Sequence, residues 1–202
     1  MNNIIELKNL VKTYNVKKKI KVLTKVNFSF KAGMIYSLMG PSGSGKSTLL
    51  NLISLIDTPN SGILKISNKV IDYSSKSFND KLRAKKIGII YQDKNLLSDF
   101  TTLENVYMAR LSLDDNKKKA VLDAKSIIKK VGLDKRLSHL PSELSGGESQ
   151  RIAISRALIN SPDIILADEP TGNLDHKNAS DIFNLLFSLK NKKRIIIFAT
   201  HN

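Results

Sequence analysis

A glycine-rich stretch in the first quarter of the chain contains the residue types that bind phosphate groups. Residues 40–47 read GPSGSGKS, which fits the pattern G-x-x-x-x-G-K-[ST]. In this pattern Gly43 and Gly45 let backbone N–H groups wrap the phosphates, Lys46 reaches the β and γ phosphates, and the Ser47 hydroxyl binds Mg²⁺. The sequence therefore predicts a nucleotide site formed by Gly40, Pro41, Ser42, Gly43, Ser44, Gly45, Lys46, Ser47 and Thr48.

Two acidic residues follow an apolar run later in the chain. Residues 164–170 read IILADEP, which predicts a buried strand that ends at Asp168 and Glu169. A carboxylate at that position can hold Mg²⁺ directly or through water, and its neighbour can accept a proton from an attacking water. The alternative is a helix start, where both acids would face the positive end of the helix dipole. The glycine-rich stretch upstream favours the magnesium interpretation.

Each of three further residues could either bind the nucleotide or its metal ion, or have no role in binding. Gln92, after KIGIIY, could contact Mg²⁺ or water through its amide, or it could be a polar loop residue. His201, after IIIFAT, could hydrogen-bond a γ phosphate, or it could be a surface histidine. Tyr14 could stack on an adenine ring, or it could be a core aromatic between strands.

A second glycine-containing segment, PSELSGGESQR at 141–151, has no nucleophile and base pair. Ser145, Gly146 and Gly147 predict a turn with exposed N–H groups, and the apolar period of the residues at 152–158 predicts a helix after it. Such a turn can bind an anion. The alternative is a plain turn with a helix cap.

The elements around these residues alternate between strands and helices. Short apolar runs predict strands before Gly33, at MIYSLM, at SGILKI with KVIDY, at KIGIIYQ, at DIILADEP and at RIIIFATHN. From about 93 to 161 the pattern is helical, and residues 117–132 place apolar side chains on one helix face. This alternation predicts an α/β fold with a mainly parallel sheet, ligand sites at its carboxyl edge, and an inserted helical lobe.

Composition restricts the class of protein further. The chain has 202 residues, an apolar fraction of 41%, no cysteine and a net charge of +15. No apolar run approaches the roughly 20 residues that span a bilayer, and we expect no signal peptide, so a membrane role would require a partner. Most of the positive charge is lysine spread over many segments, which favours a solvated surface over nucleic-acid binding.

Taken together, these motifs resemble the ATP-binding cassette (ABC) ATPases. They stand in that family's order: Tyr14, the phosphate loop at 40–48, Gln92, LSGGE at 144–148, the acidic strand at 164–169, NLD at 173–175 and His201. The resemblance implies a P-loop NTPase fold with a RecA-like core, an antiparallel β subdomain and an inserted helical subdomain. It implies one domain over 1–202, with the core and β subdomain at 1–92 and 162–202 and the helical lobe at 93–161.

The resemblance also implies how the site works. In this family the signature LSGGE covers the γ phosphate held by a partner chain, so Leu144, Ser145, Gly146, Gly147 and Glu148 would face the ATP of a second copy. Two copies would enclose two ATP molecules, with Asp175 at the dimer seam. Within one chain, Glu169 would polarise the attacking water, His201 would sense the γ phosphate, and Lys46 with Mg²⁺ would offset its charge. Ser47, Gln92 and Asp168 would be the magnesium ligands.

A narrower resemblance concerns two stretches, YQDKNLLSDFTTLENV at 91–106 and RLSHLPSELSGGESQRIAISRALINSPDIILADEPTGNLD at 136–175. They are similar to ATPase subunits of lipoprotein-releasing transporters of Gram-negative bacteria. This resemblance implies two membrane subunits docked near 93–110, a lipoprotein cargo and a place on the cytoplasmic face of the inner membrane. The alternatives are a macrolide-exporter or cell-division type ATPase, an ATP-locked scaffold, and an ABC ATPase acting on nucleic acid or ribosomes.

Two features depart from the family pattern. Ser149 stands where a basic residue is more usual, which could weaken a contact without removing the glycines. The family domain normally continues past the histidine with a helix and more strands, so the resemblance implies that its C-terminal part is missing here.

Overall fold

The computed structural model describes residues 3–15 and 19–201, which form two four-stranded sheets and six α-helices. The antiparallel sheet has the order β2-β1-β4-β5, and its strands are β1 (Asn3–Asn15), β2 (Lys19–Lys31), β4 (Ser61–Ile66) and β5 (Lys69–Val70). The other sheet has the order β3-β8-β7-β6, all parallel, and its strands are β3 (Ile35–Met39), β6 (Ile87–Ile90), β7 (Ile164–Asp168) and β8 (Ile195–Thr200). The helices are α1 (Lys46–Ile53), α2 (Lys76–Lys86), α3 (Thr102–Leu111), α4 (Lys117–Lys130), α5 (Gly146–Leu158) and α6 (His176–Ser188).

Both faces of the parallel sheet are covered, which explains its continuous apolar strands. On one face, side chains such as Ile164, Leu166 and Ile197 belong to a core shared with α1 and the antiparallel sheet. On the other face, Ile165 and Ile196 pack with α5 and α6. Because the four strands are parallel, their carboxyl ends meet at one edge. The loops that follow β3, β6, β7 and β8 therefore converge there.

The helical lobe has its own core around Val106, Ala124, Ile128 and Ile152. Helix α5 is shared, because Ile154, one half-turn beyond Ile152, packs with the parallel sheet instead. Movement of the lobe relative to the sheet is therefore constrained by a single continuous helix.

The α/β fold class is confirmed, and the structure adds details that the sequence patterns did not predict. No element was predicted at α2, in which only Phe78, Leu82 and Ala84 are apolar and the one buried residue is Asn79. Residues 93–101 form a loop, so the predicted helical region begins at Thr102. The predicted strand in KVIDY is only Lys69–Val70. Over the described ranges, no helix is both long and apolar enough to cross a membrane.

Candidate functional site

The phosphate-loop motif forms the turn between β3 and α1. Gly43 (φ 78°) and Gly45 (φ 94°) have left-handed backbones, which side-chain-bearing residues rarely adopt. A Cβ at Gly45 would also come within 3.0–3.2 Å of atoms of Val22 and Leu23. Gly45 is the N-cap of α1, so the free N–H groups and positive dipole end of this helix lie at the loop, as an anion requires.

Lys46 folds over this loop. Its ammonium nitrogen Nζ donates hydrogen bonds to the backbone oxygens of Gly40 (2.7 Å) and Pro41 (3.0 Å). The amine therefore lies across the open side of the turn, beside the space that a phosphate would take.

A cavity of about 320 Å³ adjoins the loop and unites most of the predicted phosphate and magnesium residues. Gln92 enters it after β6, and Asp168 with Glu169 enters after β7. The lining residues are Val22, Ser42, Gly43, Gly45, Lys46, Ser47, Thr48, Gln92, Asp168 and Glu169. Convergence at the carboxyl edge of the parallel sheet is thus the arrangement that the strand pattern predicted.

The oxygen donors in this cavity fit a magnesium ion. Ser47 supplies a hydroxyl, Asp168 a carboxylate and Gln92 an amide oxygen, which are the hard ligands that Mg²⁺ takes. Among the described residues, no group of three or more His, Cys, Asp or Glu side chains could hold a metal alone. Mg²⁺ in nucleotide sites usually has only one or two protein carboxylates and takes its remaining oxygens from phosphates and water.

Glu169 and His201 form a pair at the edge of the cavity. Nδ1 of His201 lies 2.8 Å from Oε2 of Glu169, and the two side chains are 58% and 19% exposed. Glu169 has a left-handed backbone with φ 44°, a conformation that costs a residue other than glycine about 1–2 kcal/mol. Its N–H donates to the backbone oxygen of Ala199, and its own oxygen accepts from the N–H of Gly172. These bonds hold the strained turn that directs the carboxylate toward His201.

Gly172 is a site residue that motif reading missed. A Cβ at this position would lie 3.3 Å from Nε2 of Gln92 and 3.4 Å from Oε2 of Glu169. The missing side chain therefore leaves space beside this backbone for both the Gln92 amide and the Glu169 carboxylate. The only sequence signal is a glycine three residues after Glu169.

The signature segment begins a helix, which corrects the predicted turn over residues 145–147. Ser145 is the N-cap of α5, and Gly146 and Gly147 are its first two helical residues. Oγ of Ser145 accepts from the N–H of Glu148 (3.2 Å), and Oε2 of Glu148 accepts from the N–H of Ser145 (2.8 Å). This capping box leaves the N–H groups of Gly146 and Gly147 without helical partners, at the positive end of α5.

Asp175 performs the same capping role for α6 and connects to the signature through Asn178. Its carboxylate accepts from the backbone N–H of Asn178 (2.9 Å) and from the Asn178 side-chain amide (2.6 Å). A Cβ at Gly147 would lie only 2.5 Å from Oδ1 of that same asparagine. Gly147 is therefore needed for the close packing of α5 on α6 in one chain, in addition to any contact with a ligand.

The structure places the signature, Tyr14 and several other predicted site residues outside the cavity lining, the others being Gly40, Pro41, Ser44, Asp175 and His201. Leu144 to Glu148 lie at the start of α5, and none of them lines the 320 Å³ cavity. Tyr14 also does not line it, and its hydroxyl donates to Oδ2 of Asp57 (2.7 Å).

Known proteins with similar sequences identify the family of this chain. The ABC transporter family matches residues 23–172, which is most of the chain. The chain belongs to this family and is an ABC ATPase, an ATP-binding protein that couples ATP hydrolysis to transport. The identification made from the motifs is confirmed.

Within this family, the chain is similar to ATP-binding subunits of lipoprotein-releasing systems and to a solved ABC cassette. The chain is 46% identical over 203 residues to the lipoprotein-releasing system ATP-binding protein LolD of Rickettsia bellii (strain RML369-C), covering 100% of this chain and 90% of the relative. It is also 46% identical over 206 residues to LolD of Wigglesworthia glossinidia brevipalpis, with the same coverage. Among solved structures, the dimeric post-hydrolysis state of the ATP-binding cassette MJ0796 bound to ADP and Pi superposes with a TM-score of 0.89 at 38% identity. That match covers 98% of this chain and 88% of the other. The predicted similarity to ATPase subunits of lipoprotein-releasing transporters is thus confirmed.

Proposed function

We propose that this ABC ATPase is the motor subunit of a bacterial lipoprotein-releasing transporter. One structural observation carries the ATPase part: a single cavity combines a phosphate loop, magnesium-type oxygen donors and a glutamate held by a histidine. The lipoprotein part is supported by the names of relatives that are 46% identical over the whole chain.

In the reaction, water attacks the γ phosphorus of ATP, the bond between that phosphorus and the β–γ bridging oxygen breaks, and ADP and inorganic phosphate are the products. Glu169 accepts a proton from that water, and His201 holds the carboxylate in place from 2.8 Å away. Lys46 moves from the loop carbonyls to the β and γ phosphates, where it offsets their charge together with the N–H groups of α1. Ser47, Asp168 and Gln92 would hold Mg²⁺, which would neutralise part of the phosphate charge when bound.

A second copy of the chain completes the site. The N–H groups at the start of α5 suit an anion, yet the signature lines no part of the cavity of its own chain. The similar cassette MJ0796 is dimeric, which supports the pairing of two copies. In our proposal the pair is head-to-tail, and each signature faces the ATP of its partner. Asp175, next to the signature through Asn178, then lies at the dimer seam and relates the two sites.

The membrane subunits dock at a groove of about 600 Å³ beside the loop that follows Gln92. Asn95 and Ala109 belong to the predicted stretch 93–110, and the other walls come from α2, β6 and the end of α5. Exposed Leu97 (48%) and Phe100 (38%) provide apolar contact area at the same loop. Arg156 of α5 donates to the backbone oxygens of Lys94 (2.6 Å) and Asn95, so the groove is tied to the signature helix.

This arrangement implies a position at the cytoplasmic face of the inner membrane, with transfer of the lipoprotein to a periplasmic carrier by the membrane subunits. The ATPase chain itself has no contact with the cargo in this proposal. An exporter or division-type complex would use the same ATPase chemistry with other membrane subunits.

The test is an affinity pull-down of Glu169→Gln from detergent-solubilised native membranes, with and without ATP and Mg²⁺. Recovery of two related membrane subunits with large periplasmic domains is the expected result. Recovery of a single unrelated membrane protein, or of nucleic-acid complexes alone, would contradict lipoprotein release and leave the ATPase assignment in place.

A further inference from the structure

A cluster of charged and aromatic side chains lies where β1 meets the loop after α1. Lys12, only 8% exposed, donates from Nζ to Oδ1 of Asp57 (2.5 Å) and to the backbone oxygen of Thr58 (2.7 Å). The hydroxyl of Tyr14 donates to the other carboxylate oxygen of Asp57 (2.7 Å). One carboxylate thus holds both side chains. Burial acts to raise the pKa of Asp57, but the hydrogen bonds from Lys12 and Tyr14 outweigh it and leave the pKa below its usual value.

Two more hydrogen bonds fix the same loop, residues 57–60, along β1. The N–H of Thr13 donates to Oδ1 of Asn60 (2.6 Å), and the N–H of Asn60 donates to the oxygen of Val11 (2.9 Å). We call residues 57–60 the clamp loop. Because it follows α1 directly, it joins β1 to the helix whose first turn carries the phosphate-binding residues.

The orientation of the Tyr14 ring is fixed from two directions. Its hydroxyl is anchored to Asp57, and Nζ of Lys12 lies 4.8 Å from the ring centroid. This cation–π contact occupies one face of the ring, and a flat ligand would take the opposite face. A ring held in this way loses little conformational freedom on binding, so the ordering cost is met before the ligand arrives.

The ring also adjoins the phosphate cavity. The Tyr14 hydroxyl interacts with the Thr48 side chain, which lines that cavity. Val22, another lining residue, lies on β2, and β2 pairs with β1 beside Tyr14. A nucleotide whose phosphates enter the cavity can therefore extend its base toward this ring.

The family resemblance already implies that Tyr14 contacts the adenine of ATP. We propose that Lys12 and Asp57 are positioning residues that hold the Tyr14 ring ready for this contact. This inference rests on the proposed ATPase site, because the base reaches the ring only if the phosphates occupy the cavity. The clamp loop sets the spacing between the stacking surface and the phosphate loop, since Asp57 holds the ring from the far end of α1.

The experiment compares the affinities of ATP and inorganic tripolyphosphate, which has phosphates and no base. Tyr14→Ala should lower ATP affinity about tenfold or more, because stacking of one base on an aromatic ring contributes on this scale. Asp57→Ala should lower it about three- to tenfold, in proportion to the lost hydrogen bonds. Neither variant should change tripolyphosphate affinity. Asp80→Ala, which removes the surface partner of Arg83, is the matched control and should change neither.

A double-mutant cycle tests whether Asp57 acts through the ring. Asp57→Ala added to Tyr14→Ala should cause no further loss of ATP affinity. If Asp57→Ala fails to fold because Lys12 loses its carboxylate, Tyr14→Phe removes only the tether and should weaken ATP about two- to fivefold. Normal ATP affinity in Tyr14→Phe and Asp57→Ala, or equal losses for ATP and tripolyphosphate, would overturn the inference. Failure of the unmodified protein to bind either ligand would instead overturn the proposed ATPase site.

Discussion

The phosphate cavity and the signature segment each lie at the start of a helix, where free N–H groups suit an anion, but they are built in different ways. The cavity is formed at the ends of β3, β6 and β7, with left-handed backbones at Gly43, Gly45 and Glu169, of which only that of Glu169 is strained. The signature is formed by side chains, through the Ser145–Glu148 capping box and the packing of α5 on Asn178.

Because of this difference, we expect ATP hydrolysis to depend on the cavity and association of two copies to depend on the signature. The cavity combines a base and magnesium-type ligands in one chain, whereas the signature offers donors and no reactive group. Changes in the cavity should therefore affect the chemical step most, and changes in the signature should affect stability and association first.

The largest expected effect is that of Glu169→Gln. This change removes the proton acceptor, and we expect phosphate release to fall at least about 100-fold. ATP binding should persist, since the phosphate loop is unchanged. Near-normal turnover would contradict the assigned role of Glu169. Glu143→Gln, a glutamate outside the cavity, is the control and should keep its activity.

We expect a moderate loss of stability when the signature residue Gly147 gains a methyl group. Gly147→Ala places a Cβ against Asn178 and disturbs the cap of α6, so we expect a loss of about 1 kcal/mol in unfolding free energy relative to Gly146→Ala. At Gly146 the new Cβ would meet Leu174 at an ordinary 3.5 Å, and both changes carry a similar gain in helix propensity. Thermal melts of the two variants measure the difference, and equal melting temperatures would show that Asn178 moves aside freely.

The smallest effect concerns the pH dependence of the capping box. The N–H of Ser145 chiefly holds the pKa of Glu148 below its usual value. A depressed pKa contributes stability above the unfolded pKa, about 4.3, and that stability is lost as the pH falls toward the folded value. Glu148→Gln keeps the cap geometry, so it should melt within about 2 °C of the unmodified protein at pH 7. Its stability should fall less from pH 5 to pH 3, and an unchanged acid profile would contradict this account.

The contrast also explains what the sequence could predict. The phosphate loop, Asp168, Glu169 and Gln92 are local motifs at strand ends, and a parallel sheet brings strand ends together, so their convergence followed from the strand pattern. Tyr14 and its clamp loop depend on contacts between residues more than 40 positions apart, such as that of Lys12 with Asp57. Hydrophobic periodicity in the sequence cannot predict a contact between residues so far apart.

Helix α2 and Gly172 were missed for other reasons. Helix α2 has a charged sequence in which only Phe78, Leu82 and Ala84 are apolar, so hydrophobic periodicity gave only a weak signal. Gly172 matters through the side chain that it lacks, which is visible only when Gln92 and Glu169 lie beside it.

The central claim is that the signature acts on the nucleotide of a second copy. Its most direct test is the mass of Glu169→Gln in solution with ATP and Mg²⁺, measured by analytical ultracentrifugation, with and without Ser145→Arg. We predict that Glu169→Gln forms an ATP-dependent dimer and that Ser145→Arg abolishes the dimer while the monomer keeps its ATP affinity. The exposed Ser142→Arg is the matched control and should still dimerise. Loss of ATP affinity in the Ser145→Arg monomer, or a dimer that tolerates this change, would contradict the account.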